Sequence, residues 1–143
     1  METKTARIEN EYQRILDGHH GAMLLPILAT ADALSQEIAD RPLLLTCIFR
    51  SDREHRELLK RLGRKYYPTP HTYWRAADAQ VHYYSAAETD EIARRLNEAF
   101  RYESGSGRIL KACLVHGGTA LHMHLQVPAG DAWAKYPRWP ARE

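Results

Sequence analysis

Leu121-His122-Met123-His124-Leu125-Gln126-Val127 alternates apolar and polar side chains along its whole length. Successive residues of a strand point to opposite faces, so Leu121, Met123, Leu125 and Val127 share an apolar face, and His122, His124 and Gln126 share a polar one. A strand with so clean a division has one side in a core and the other free for chemistry. Its partner lies just upstream. Arg108 to Val115 is a second apolar run, and Gly117-Gly118 separates the two at hairpin spacing.

Outward from that hairpin the pattern becomes mixed. Ile8, Tyr12, Ile15 and Leu16 mark a short amphipathic helix that Gly18 to Gly21 ends, and Leu24 to Ala39 predicts a second helix with Pro26 near its first turn. Leu43 to Phe49 is a buried strand by composition and length. Ser51 followed by Glu54 forms a capping box that opens a helix closed by Gly63. Pro68 and Pro70 break the next stretch into a loop. Ala77 to Tyr84 predicts a strand, Glu88 to Phe100 a helix, and Ser104 to Gly107 a turn. The tail beyond Pro128, with Trp133, Tyr136 and Trp139, is expected to pack back on the body. Helices first, then strands mixed with helices, then an antiparallel pair: this is an α+β chain, a small antiparallel sheet flanked by helices.

Bulk properties agree with one domain over residues 1–143, with residues 1 to about 40 as an N-terminal helical extension. The chain has 143 residues, 44% hydrophobic and 27% charged, enough for a core and a hydrated surface. A net charge of +2 is too small to argue for nucleic acid. The charged N-terminus lacks the apolar core of a secretion signal, and no apolar run approaches the roughly 18 residues of a membrane span. Cytoplasmic synthesis is therefore expected, with release by lysis if the protein works at the cell wall. Cys47 and Cys113 lie in apolar runs without a CxxC partner, which predicts two reduced core thiols.

Two spacings carry chemistry: His71-x6-Asp78 and His122-x-His124. His71 sits on the loop feeding the strand that Asp78 begins, so both can fold toward one point. Two imidazoles and a carboxylate suit zinc, and a catalytic zinc needs three protein ligands with one position open. His71, Asp78 and His124 fill those places, leaving His122 beside the metal as a proton carrier. A pair of surface histidines remains the plain alternative for HxH alone.

These motifs resemble those of the family that groups lysostaphin-type peptidases, D-Ala-D-Ala metallopeptidases and the hedgehog amino-terminal domain. Within it the D-Ala-D-Ala carboxypeptidase and phage endolysin branch is the most similar. Its S-x-H-x-x-G-x-A-x-D motif is matched by TPHTYWRAAD, which puts His71, Ala76 and Asp78 in register, and its GYRS element by CIFRS, with Arg50 and Ser51 in place. The likeness spans about residues 43 to 127. It implies a hedgehog/DD-peptidase-like fold, Zn2+ on His71, Asp78 and His124, and acid/base work by His122. It also implies a substrate carboxylate on Arg50, held by the guanidinium fork, and hydrolysis of peptidoglycan stem peptides. Thr69 stands for the motif's serine and Trp74 for its glycine. Leu121 stands where carboxypeptidase members carry an acidic base, so base work passes to His122 with His116. His116, just before Gly117, is also placed to stabilise an oxyanion.

Two alternatives stay open on the residues: a metal-binding recognition module without catalysis, and a structural zinc site closed by His82 or His116. Tyr73 and Trp74 are candidates to line the substrate cleft. Packing is expected for Tyr66 and Tyr67, solvent for His19, His20 and His55, and an edge or core position for His82.

Overall fold

The computed structural model describes residues 1–103, 109–117 and 121–128. The predicted turn at Ser104 to Gly107, the Gly118 half of the hairpin turn and the aromatic tail with Trp133, Tyr136 and Trp139 lie outside them.

The chain is α+β, as its patterning implies. The strands are β1 (Glu2–Thr3), β2 (Leu44–Cys47), β3 (Ala76–Gln80), β4 (Tyr102–Glu103), β5 (Ile109–Leu110), β6 (Cys113–Gly117) and β7 (Leu121–Gln126). The helices are α1 (Ala6–Leu16), α2 (Leu25–Ala39), α3 (Asp52–Arg61) and α4 (Ala86–Ala99). The main sheet runs β1-β2-β3-β7-β6, and β4 with β5 forms a separate two-stranded ribbon. The sheet is not purely antiparallel as expected: β1 pairs parallel to β2, and the remaining pairs are antiparallel. Two residues at the N-terminus are too short a strand for periodicity to reveal.

Helix ends follow local chemistry. Ser51 and Glu54 make the reciprocal capping box expected of α3, and Gly63 follows it at φ 67°. α4 begins two residues earlier than its apolar periodicity suggests, because Ser85 and Glu88 form a second capping box. The Ala77 to Tyr84 strand stops at Gln80, where a turn closed by the Tyr84 N–H on the Val81 carbonyl takes over. The predicted Arg108 to Val115 strand is interrupted at Lys111 and Ala112. There the Gln126 amide nitrogen donates to the Lys111 carbonyl and the Gln126 N–H to the Ala112 carbonyl.

One sheet face is covered by α1, α2 and α4. Leu45, Ala77, Ala79, Met123, Leu125 and Val127 meet Ile8, Ile15, Ile27, Leu28, Leu34, Ile92 and Leu96 in one buried cluster. Each leucine, isoleucine, valine or methionine among them contributes about 1.5–3 kcal/mol on burial, and the alanines less. The first forty residues thus supply part of the central core, beyond the role of an extension. Leu121 departs from the apolar face of its strand. It lies opposite Gly117, which offers no side chain to pack on, and is 60% exposed. No helix among the described residues is long and apolar enough to cross a membrane.

Candidate metal centre

The other sheet face holds the polar residues. β3 and β7 pair with Asp78 opposite His124 and Gln80 opposite His122, and β7 pairs with β6 so that His116 faces His122. Register alone therefore brings Asp78, His116, His122 and His124 to one patch. The fifth residue, His71, arrives from a single 3-10 turn, Pro70–Tyr73, whose entry is capped by the Thr69 hydroxyl accepting from the His71 N–H. The turn exits through Trp74 at φ 57°, ψ 38°, a left-handed conformation that favours glycine. Trp74 tolerates it while stacking on Phe49 and His20 at centroid distances of 5.0 and 4.9 Å. Trp74 is therefore a packing residue, and His20, exposed as expected, lies on one of its faces.

At the centre, His71, Asp78 and His124 are all buried. Asp78 Oδ1 lies 3.2 Å from His71 Nε2 and 3.0 Å from His124 Nδ1, and Asp78 Oδ2 lies 3.5 Å from His122 Nε2. The far nitrogen of each inner ring also faces an acceptor. His71 Nδ1 is 2.8 Å from the Ile48 carbonyl, and His124 Nε2 is 2.8 Å from Gln126 Oε1. The Gln126 amide is oriented by its nitrogen donating to the Lys111 carbonyl at 2.9 Å, so its oxygen must be what meets His124. Neutral His71 then carries its proton on Nδ1 and neutral His124 on Nε2. Two imidazole lone pairs are left pointing at one carboxylate oxygen. One proton relieves only one of these contacts, whereas a cation among the three atoms relieves both. Imidazoles whose outer N–H groups are fixed by a carbonyl and an amide are also what metal-ligating histidines require.

The electrostatics express the same crowding. Burial opposes charge on every member of the group. For Asp78 it is outweighed by His71 and His124, which hold the carboxyl well below its ordinary value. For His71 burial is outweighed by Asp78, with Cys47 adding to it, and the imidazole lies well above its ordinary value. Burial prevails at His124, which is lowered, and at His116, pushed down to about 4 with help from His124 and His122. The His116 ring lies 4.7 Å from that of His122, tilted to it, and meets His124 edge-on at 5.3 Å, and its Nε2 is buried without a hydrogen-bond partner among the described residues.

Cys47 joins the centre, contrary to its expected place in the core. Leu45 pairs with Ala79 but Cys47 pairs with Asp78, so the register shifts between them. Strict alternation would send Cys47 to the same side as Leu45. The bulge turns it to the polar face instead, as bulges beside functional sites commonly do. Cys47, His71 and Asp78 offer ligand atoms that lie within 4.8 Å of one another, a set that could hold a metal ion. Both cysteines are free, as expected, and Cys113 alone is in the core.

The cluster lies in a cleft of about 430 Å3 lined by Arg50, His116, His122 and the cluster residues, with α3 as one wall. Arg50 also donates to Cys47 Sγ at 3.5 Å. Tyr73 is 50% exposed and does not line the cleft, because the 3-10 turn points His71 inward and Tyr73 outward. His82 reaches the rim, where it accepts from the Gln80 amide nitrogen at 2.6 Å. His55, expected on the surface, is buried, and its Nε2–H donates to the Tyr67 carbonyl at 2.7 Å. Its spacing with Leu58, Leu59 and Leu62 is the inward stripe of a helix and was the available signal. Comparison with protein-family models, with curated proteins and with solved structures returns no significant match.

Proposed function

We propose that this chain is a zinc-dependent peptidase of the lysostaphin, D-Ala-D-Ala metallopeptidase and hedgehog type, acting on stem peptides of peptidoglycan. The observation that carries the proposal is the convergence of His71 Nε2 and His124 Nδ1, at 3.2 and 3.0 Å, on one oxygen of Asp78 on the floor of a cleft. His71 Nε2, Asp78 and His124 Nδ1 would hold the ion. A zinc ion so held supplies Lewis acidity toward a carbonyl and a water acidified toward about pH 7.

The chain's own groups account for the rest. His122 is partly exposed beside Asp78 Oδ2 and is the group placed to exchange a proton with substrate. His116, held neutral at pH 7 by its surroundings, can offer an N–H to a developing oxyanion. Lys4, Arg50 and Arg64 line the cleft, and Asp78 is the single carboxylate among its described lining residues. The cleft therefore favours an anionic ligand, and Arg50 is the residue to grip a peptide carboxylate. Work at the cell wall would follow release by lysis, as for a phage endolysin.

One observation favours a second reading, a metal-binding recognition module without catalysis. Leu121 occupies the rim position where an acidic base would serve, and it is 60% exposed. Incubating zinc-loaded protein with purified peptidoglycan, with Asp78→Ala as control, separates the two. New peptide termini by mass spectrometry that vanish in the control are expected. Intact peptidoglycan despite stoichiometric zinc would overturn the peptidase and leave the binder.

A further inference from the structure

The bulge in β2 gives the centre a donor that three-ligand coordination does not use. Cys47, His71 and Asp78 offer donor atoms mutually within 4.8 Å, and Cys47 Sγ meets the His71 ring at 3.8 Å on the Nδ1 side that faces the Ile48 carbonyl. It faces the cleft, half-buried, directly across the ladder from Asp78. Tetrahedral zinc with ordinary Zn–S and Zn–N bonds sets sulfur and nitrogen about 3.5 Å apart. A contraction of about 1 Å among Cys47, His71 and Asp78 thus brings the thiol to coordinating distance beside these two. Thiolate is a soft ligand that zinc prefers among side chains, and a strand backbone aims it without a flexible loop.

We infer that Cys47 is a fourth protein ligand of this centre, so that Cys47, His71, Asp78 and His124 together close the ion off from the cleft. The inference rests on the metal reading proposed above and adds regulation to it. Four protein ligands make a closed site, and three make one open to substrate. On metal entry the thiol proton passes to solvent and sulfur donates its electron pair to the ion. For a substrate to reach the ion, the Cys47 thiolate must step off. The Arg50 guanidinium, 3.5 Å from Sγ, is the group that receives it. The centre is then latent with sulfur on the metal and open with sulfur on Arg50. Cys113 is the internal control: it is buried on the opposite face, where burial pushes its thiol up to about 12.

Cobalt(II) binding to the full chain tests this. A sulfur-to-cobalt charge-transfer band in the near ultraviolet is expected with the visible d–d bands. Cys47→Ser should lose the first and keep the second. Visible bands without the charge-transfer band would remove Cys47 from the ligand set and leave the His71, Asp78 and His124 centre standing. No cobalt uptake would overturn the metal reading itself and this inference with it. Alkylation by iodoacetamide, read by peptide mass, gives a second measurement on the unaltered chain. Cys47 should be modified in metal-free protein and protected by zinc, with Cys113 unmodified in both. Equal modification of Cys47 with and without zinc would overturn the inference.

Discussion

Gln126 shows how much one residue contributes without touching the ion. Its position on the polar face of the last strand is plain from the alternation of Leu121 to Val127. Its task is not, because that depends on where the Lys111 carbonyl lies. By fixing its amide on Lys111 it forces the His124 proton onto Nε2 and the lone pair onto Nδ1. Gln126→Leu keeps the volume and removes both bonds. Zinc affinity by calorimetric titration should fall about 10- to 100-fold, the usual effect of losing such a support. An unchanged affinity would mean that His124 is not a ligand through Nδ1. Cys47 illustrates the opposite limit. Periodicity assigned it to the core, and the bulge that overrules periodicity is a property of the β2–β3 pair, which no local window contains.

At the scale of elements, α3 was the most legible. Ser51, Glu54 and Gly63 mark both its ends, and the structure keeps all three signals. The capping box also joins it to α1, because the Arg7 guanidinium reaches Glu54 and Glu11, and Glu11 accepts from the Phe49 N–H. Ser51→Ala should lower stability by about 1 kcal/mol, visible as a lower urea midpoint with unchanged slope. A change in slope instead would indicate that α3 unfolds apart from the sheet. The strands were less legible than the helices. The run from Arg108 to Val115 looks continuous in sequence, yet at its break Gln126 takes the Lys111 and Ala112 carbonyls and Asn97 takes the N–H and carbonyl of Cys113. β7 was legible from Met123 to Val127 because that alternation is local, and Leu121 escaped it because its partner Gly117 lies on another strand. That Asp78 lies opposite His124 follows from β3 and β7 being neighbours, a long-range pairing invisible in either segment.

For the molecule as a whole, the charge state of these groups sets how stability follows pH in the metal-free chain. His116 lies at about 4 in the fold against an ordinary 6.5, so the unfolded chain binds more protons between those values and the fold weakens as pH falls through them. Glu54 is depressed from 4.5 to about 2, mainly by Arg7. Its contribution is present above 4.5 and disappears as pH falls toward 2. His71 has the opposite sign: its raised value adds stability below 6.5 that is lost as pH climbs through its folded value. Urea midpoints should therefore decline from pH 6.5 to 4 and decline further below 4.5. A midpoint that rises on acidification from 6.5 to 4 would overturn the role given to His116, because His71 alters the balance only above 6.5.

The strand order has a consequence for how the chain reaches this state. β7 is the last described strand in sequence, yet it sits inside the sheet between β3 and β6. Until residue 126 has left the ribosome, β3 presents an unpaired edge and Ala77 and Ala79 lack Met123 and Leu125 beside them. The nascent chain cannot close its core segment by segment as it emerges. Its folding must wait until β7 has emerged, with slow, long-range pairing as the decisive event and an exposed edge to be guarded in the meantime.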